Sequence, residues 1–161
     1  MRLWSVGRLR IRTSGGGGRL SVLGALDSAG EDLEFIATDG KFDPLTAACT
    51  LYKLREKHPS GAITVVLDNA RYQACERHRF LAKVLDIELL FLPAYSPNLN
   101  LIERVWKWVK NQCLYKKYYE KIRDFQNAVI GCMKGLEERL PESLKSMLTQ
   151  NFQFPKQTGN L

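Results

Sequence analysis

The sequence predicts an α/β domain in which a mixed sheet is flanked by helices. Residues 63–67, ITVVL, form a β-branched apolar run of the kind that builds a fully buried strand. Helical patterns stand before and after this run, and strands that alternate with helices indicate an α/β sheet. The chain of 161 residues is long enough for one domain with a sizeable core.

Strands dominate the predicted amino-terminal part of the domain. The alternation at residues 9–12, LRIR, indicates a short, half-exposed strand. Its arginines either contact phosphate or keep an edge strand unpaired. Residues 13–18 are a glycine-rich loop. Residues 19–26 and 33–38 are two strands joined by a turn, which predicts an antiparallel hairpin.

Helices alternate with the remaining strands. Asp43 followed by Pro44 predicts a capped helix that ends near residue 57. The later elements are a helix at about 73–85, a strand at 88–92, helices at 98–114 and 122–136, a short helix after Pro141 and a loose tail at 152–161. The helix at 122–136 is expected to bury an apolar stripe made of Phe125, Val129 and Met133.

The most informative stretch is residues 92–110, LPAYSPNLNLIERVWKWVK. Pro93 and Pro97 prevent a helix from starting before Asn98. The apolar side chains that follow repeat at helical spacing and predict a buried stripe of Ile102, Val105, Trp106, Val109 and Cys113.

Glu103 allows two interpretations. Asn100 is a good N-cap and Glu103 follows it by three residues, so the pair fits a capping box on a surface helix. Glu103 also shares one helix side with Lys107 and Lys110, because residues three and four apart are neighbours. This side combines one carboxylate with two cations.

Asp68 directly follows the buried strand at residues 63–67. Open α/β sheets place their chemistry at the carboxyl ends of strands, although a turn Asp that caps the following helix is the alternative. Glu103 follows Asp68 by 35 positions (103 − 68).

The segments LDNARYQ and LPAYSPNLNLIERVWKWVK, at this spacing, closely resemble the catalytic domain of bacterial insertion-sequence transposases of the mariner superfamily. These are Asp-Asp-Glu (DDE) endonucleases with a ribonuclease H-like fold. The resemblance covers about residues 19–135. One departure is Leu101, which stands where the family usually has proline and is acceptable in a first helical turn.

The resemblance implies Asp68 and Glu103 as catalytic carboxylates that bind Mg²⁺, with Mn²⁺ as a substitute. Asn69 would orient Asp68. Lys107 and Lys110 would hold DNA phosphates near the cut. The implied reaction is DNA strand cleavage followed by transfer of the freed 3′-hydroxyl to target DNA.

The family's first Asp has no evident counterpart here. In the family it lies in a first strand that precedes the segment similar to residues 4–13, so we expect that strand to be missing. Asp27 and Asp39 end other strands and are not convincing substitutes. The expected divisions are a strand and loop at 1–18, the catalytic domain at 19–140 and a tail at 141–161.

Charge favours double-stranded DNA as the partner. The net charge is +7 and the isoelectric point is about 9.3, although an indifferent basic surface has the same composition. Residues 115–119, YKKYY, interleave aromatic and basic side chains, as nucleic-acid surfaces do. Lys116 and Lys117 are therefore DNA-binding candidates, and a linker lying over the core is the alternative.

The remaining composition indicates a cytoplasmic protein. The four cysteines lack zinc-ligand spacing, and we expect them to be reduced and mostly buried. No apolar run approaches the length of a membrane span, and no signal core is present.

Two classes of function remain open. The chain is either the catalytic part of a transposase, completed by a companion polypeptide, or an inactive remnant that still binds DNA as a regulator. A missing first strand would leave the Asp68 strand unpaired unless residues 9–13 move into its place, and the gap would otherwise invite strand addition by a companion or a second copy. A host ribonuclease H-like nuclease is a weaker third interpretation.

Overall fold

The computed structural model describes residues 1–12, 18–68, 75–93, 96, 99–115 and 117–149. Within these residues five strands form one sheet: β1 (Arg2–Arg12), β2 (Arg19–Asp27), β3 (Leu33–Thr38), β4 (Ile63–Leu67) and β5 (Ile87–Phe91). Their order across the sheet is β3-β2-β1-β4-β5. β1, β2 and β3 pair antiparallel, whereas β4 runs parallel to both β1 and β5. The predicted mixed sheet and the β2–β3 hairpin are confirmed.

The same part of the chain contains five helices: α1 (Pro44–Lys57), α2 (Glu76–Val84), α3 (Ile102–Cys113), α4 (Ile122–Glu138) and α5 (Glu142–Leu148). α1 and α2 cover one face of the sheet, where Trp4, Val65 and Leu67 are buried. α3, α4 and α5 cover the other face, where they bury Leu9 and Val22. The sheet therefore has a hydrophobic core on each face.

The place beside the Asp68 strand is filled. β1 is eleven residues long and pairs with β2 on one side and with β4 on the other. The place beside β4 is therefore filled from within the chain, by Arg2–Val6 rather than by the expected residues 9–13, and residues 2–12 belong to the same sheet as residues 19–91. The absence of the family's Asp-bearing first strand stays a prediction. The strand expected only at residues 9–12 begins at Arg2, and most of it is buried. Strand addition beside β4 has no place, because β4 has both neighbours.

Helix boundaries were predicted best where the signal is local. α1 begins at Pro44, with Asp43 accepting a hydrogen bond from the Thr46 backbone N–H, and it ends at Lys57, as predicted. α4 buries the expected stripe, and α5 is the expected short helix. α3 begins at Ile102, later than the predicted residue 98. The tail at residues 152–161 lies outside the described residues.

α3 packs directly on the backbone of the sheet. A Cβ atom added to Gly24 of β2 would lie 2.5 Å from Cη2 of Trp106, so glycine is required for this approach. Trp106 and Ile102 are buried, and they fix the distance between the helix and the central strands. The first turn of α3 is thereby held close to β1.

Two smaller expectations have clear outcomes. All four cysteines lie in the described part of the chain and are free, but only Cys113 is fully buried and Cys49 is exposed, so the expectation that most are buried is wrong. None of the described helices is both long and apolar enough to cross a membrane.

Candidate active site

Three elements meet where the predicted carboxylates lie. Asp68 follows the last residue of β4, and Glu103 lies in the first turn of α3. Ile63, Val65 and Leu67 face the α1 side, so alternation along the strand places Asp68 on the α3 side. Residues 2–6, the first half of β1, pair with β4, so the middle of β1 lies next to Asp68.

Glu103 lies near Asp68, because its Oε1 is 3.6 Å from the position of a Cβ on Gly7 and the β1–β4 register sets Gly7 level with Asp68. Burial raises the pKa of the Glu103 carboxyl, and the negative charge of Asp68 raises this pKa further. The ammonium group of Lys110 acts in the opposite direction. The fold therefore brings together two carboxylates that are 35 positions apart in the sequence, together with one of the predicted lysines.

Asn100 does not cap α3 with its side chain, so the predicted capping box is wrong. Its side-chain Nδ2 donates to the carbonyl oxygen of Val6 at 3.0 Å, and its Oδ1 accepts from the Ser5 hydroxyl. The backbone N–H of Ile102 donates to Ser5 Oγ at 3.2 Å. Asn100 is 2% exposed and Ser5 is 5% exposed. A buried polar network thus ties the start of α3 to β1.

Gly7 lies beside the carboxylates. Val6 pairs with Leu67, so the next residue of β1 is level with Asp68. A Cβ atom on Gly7 would lie 3.6 Å from Oε1 of Glu103. Asp27 pairs with Trp4, nearer the start of β1, and Asp39 follows β3, two strands away from β1. These positions agree with the expectation that neither Asp replaces a first carboxylate.

Asp68 and Glu103 have the donor chemistry that a divalent cation takes. Mg²⁺ binds through one or two carboxylates and keeps waters or phosphate oxygens as its other ligands. A cation between the two groups would also relieve the repulsion that contributes to the raised pKa of Glu103. Among the described residues, no group of three or more His, Cys, Asp or Glu side chains is placed to hold a metal ion.

The predicted DNA-binding lysines differ in their surroundings. Lys107 is exposed on α3, Lys110 is half-buried near Glu103, and Lys117 is exposed after α3. Lys116 and Asn69 lie outside the described residues.

The described residues that follow α3 agree with the linker interpretation, and the DNA-binding interpretation stays a prediction. Tyr119 packs edge-on against Phe125 and donates to the Cys113 carbonyl, as a linker over the core would. The Tyr118 side chain is 88% exposed and stays available for stacking.

The sequence profile of a family described as DDE superfamily endonuclease matches residues 6–126. The chain belongs to this family. No curated protein matches the sequence. The family match agrees with the resemblance that residues 92–110 carry, and it includes both Asp68 and Glu103.

Solved structures share the ribonuclease H-like fold of this DDE domain. The Mos1 transposase catalytic domain with raltegravir and Mg is 13% identical, with a TM-score of 0.66 over 91% of this chain and 82% of that chain. The Mos1 mariner paired-end complex with Mn is 13% identical, with a TM-score of 0.69 over 91% of this chain and 51% of that chain. A chain of the simian T-cell lymphotropic virus intasome is 16% identical, with a TM-score of 0.57 over 79% of this chain and 46% of that chain. This DDE domain therefore spans about half the length of the chains in those two complexes.

Sequence reasoning missed Ser5 and Gly7. Only residues 9–12 alternate clearly between apolar and charged side chains, whereas residues 4–7, WSVG, alternate between large and small ones. A glycine inside a strand signals close approach of another backbone or side chain, and this was the available clue.

Proposed function

We propose that this chain is the catalytic domain of a transposase, which holds a divalent cation between Asp68 and Glu103 and binds DNA along α3. The observation that carries the proposal is geometric: Glu103 Oε1 lies 3.6 Å from the position of a Cβ on Gly7, and the β1–β4 register sets Gly7 level with Asp68 at the carboxyl end of β4. The pairing follows from the fold, since the residues lie on separate elements. Mos1 transposase, which shares the fold, has been solved with Mg and with Mn.

The carboxylates and the lysines have separate roles in this proposal. Asp68 and Glu103 hold the cation, which when bound supplies activation of a water or 3′-hydroxyl and stabilises the leaving oxygen. Lys107 and Lys110 contact backbone phosphates and set the position of the scissile strand. Lys117 and the exposed Tyr118 extend the surface beyond α3, by charge and by stacking.

Double-stranded DNA is the proposed partner, both as transposon ends and as target. Mos1 transposase has been solved as a paired-end complex with the left transposon end and as a strand transfer complex. We place the activity in the bacterial cytoplasm, on nucleoid DNA. If a companion polypeptide or a second copy supplies a further carboxylate, it reaches the site from outside the sheet, because β4 has both neighbours.

Salt-dependent DNA binding tests the surface. The double variant Lys107→Ala/Lys110→Ala should weaken duplex binding and reduce the slope of log affinity against log salt by about 2. The matched control is Lys83→Ala/Lys134→Ala, which removes the same charge from exposed positions on α2 and α4. Equal losses for the two double variants would show that only net charge matters. Absence of duplex binding by the wild type at low salt would contradict the proposal.

A second candidate function is a DNA-binding regulator that does not cut DNA. Gly7 favours it, because this position beside Asp68 and Glu103 carries no carboxylate. Strand transfer by the purified chain is measured with pre-cleaved end DNA and Mg²⁺ or Mn²⁺. We expect little or no product from the chain alone under either function, because two carboxylates cannot fix two ions at the required spacing. Robust product that Asp68→Ala and Glu103→Ala both abolish would exclude the regulator and make Asp39 the first candidate for the missing acid.

A further inference from the structure

Gly7 lies on β1 beside Asp68 and Glu103, and we call this position the third corner of the candidate site. The register of β1 and β4 sets it level with Asp68, and Oε1 of Glu103 would lie 3.6 Å from a Cβ on this residue. A side chain growing from this Cβ would start within reach of the space between the two carboxylates. At this corner β1 provides only backbone atoms.

Gly7 carries no charge itself, and the space around it is closed. A Cβ atom here would lie 2.5 Å from Cγ2 of Ile102, which is nearer than real Cβ contacts come, and 3.5 Å from Nδ2 of Asn100. Cγ2 is attached to the branched Cβ of Ile102, so it cannot swing away as the end of a long side chain can. Ile102 is fully buried. Any side chain at position 7 therefore requires Ile102, at the start of α3, to shift.

The neighbours of Gly7 are also committed to other contacts. Asn100 donates to the Val6 carbonyl, and Ser5 Oγ accepts from the Ile102 N–H while donating to Asn100. The polar side chains next to Gly7 on this face are thus used to hold α3. Within the described residues, the carboxylates that meet here are those of Asp68 and Glu103.

We infer that this site binds one divalent cation rather than a pair, and that Gly7 is the residue that excludes the second. Two ions about 3.5–4 Å apart need carboxylates that bridge and flank them. One ion is satisfied by two carboxylates and water. The inference rests on the proposed function, since it takes Asp68 and Glu103 as the cation ligands.

Manganese binding to the purified full chain tests the stoichiometry. Titration followed by the electron paramagnetic resonance signal of free Mn²⁺ should give one ion per chain. Asp68→Asn and Glu103→Gln should each weaken its binding by at least about tenfold. Two ions per chain, both weakened by these substitutions and showing the spin coupling of a close pair, would overturn the inference while leaving the proposed function intact. No bound ion, or one that neither substitution affects, would overturn both.

A gain of the second ion tests the role of Gly7. Gly7→Asp combined with Ile102→Ala supplies the carboxylate and removes the Cγ2 atom that blocks it, and it should bind two Mn²⁺ ions. Gly7→Ala/Ile102→Ala is the matched control, which should keep one ion. Circular dichroism and the melting temperature establish that both variants fold. A folded Gly7→Asp/Ile102→Ala chain that still binds one ion would exclude Gly7 as the determinant. If that variant does not fold, the wild-type stoichiometry decides the inference.

Discussion

The two helices α1 and α3 begin in opposite ways. The first turn of α1 is satisfied by its own sequence, because Asp43 accepts from both the backbone N–H and the hydroxyl of Thr46, each at 2.8 Å. α3 follows Leu101, whose apolar side chain cannot accept a hydrogen bond. Its first N–H donates instead to Ser5 Oγ, which lies 97 positions earlier in the chain. The acceptor at the start of α1 comes from a neighbouring residue, whereas the acceptor at the start of α3 comes from a distant strand. Glu103 lies in the first turn of α3.

The carboxylates at these two starts also differ in their pKa. Hydrogen bonds from the backbone and side chain of Thr46 lower the pKa of Asp43. Burial and the charge of Asp68 raise the pKa of Glu103. The anion at α1 is thus stabilised by its surroundings, whereas at α3 burial and the charge of Asp68 outweigh the favourable charge of Lys110. A carboxylate kept in such a place is typical of a binding or catalytic site.

Among the substitutions that test this comparison, Asn100→Ala should have the largest effect on stability. Asn100→Ala leaves the Val6 carbonyl and the Ser5 hydroxyl without their buried partner, so we expect a loss of about 3 kcal/mol in the free energy of unfolding. Urea denaturation measures the loss. Cation affinity should fall as well, because Glu103 is fixed through the same turn.

Asn111→Ala, at an exposed position on the same helix, is the control for Asn100 and should change stability by less than about 0.5 kcal/mol. Equal effects of the two substitutions would show that the buried network does not hold α3.

Ser5→Ala should have the second largest effect. It removes the acceptor for the Ile102 N–H and a donor to Asn100, and the loss should be about 1–2 kcal/mol. Ser5→Ala and Asn100→Ala should be less than additive, because both disrupt one network. Urea denaturation of the double variant measures this coupling, with Ser60→Ala at an exposed position as the control. Fully additive losses would indicate independent contacts.

The comparison explains which parts of the fold and site could be predicted. The α1 start, the β2–β3 hairpin and the stripe on α4 follow from spacing within one segment, and the structure agrees with them. Asp68 and Glu103 were selected through their resemblance to a family, which carries information about distant positions. Asn100 looked like a local cap, and only the position of β1 shows that its side chain has a buried partner.

β1 is the main case that sequence reasoning could not settle. Its central place depends on pairing with β4, which lies more than fifty positions later, and residues 2–8 lack the regular polar alternation of a half-exposed strand. A strand buried on both faces does not alternate in this way. The position of Gly7 beside Asp68 follows from this pairing, so it could not be predicted from the sequence either.

Glu103→Gln should raise the melting temperature of the cation-free protein at neutral pH. The folded-state pKa of Glu103 is raised, so the folded chain retains this proton at a pH where the unfolded chain has lost it, and wild-type stability falls as pH rises through that interval. Glutamine carries no such charge. Differential scanning fluorimetry across pH should show the gain growing as pH rises through the raised pKa.

Added Mn²⁺ should reverse the order of the two melting temperatures, so that the wild type becomes more stable than Glu103→Gln. A ligand at ten times its dissociation constant stabilises the form that binds it by about 1.4 kcal/mol, which the variant largely loses. Glu138→Gln, at an exposed position on α4, is the matched control and should leave both measurements unchanged. If Glu103→Gln is less stable than the wild type without cation, the statement that the Glu103 charge destabilises the cation-free fold is contradicted.

Asp43→Ala should have the smallest effect and the opposite pH dependence. Asp43 is fully exposed, and water or neighbouring groups can replace part of what its carboxylate provides to Thr46. Its folded-state pKa is lowered, so its contribution is present above the ordinary Asp range and is lost as pH falls through the lowered value. The melting temperatures of Asp43→Ala and the wild type should therefore differ at neutral pH and converge in acid. Asp43→Asn, which keeps an acceptor without the charge, should lie between them at neutral pH. A difference that persists unchanged into acid would mean that the anion at α1 contributes nothing, and the contrast between the two helix starts would then be limited to where the hydrogen-bond acceptor comes from.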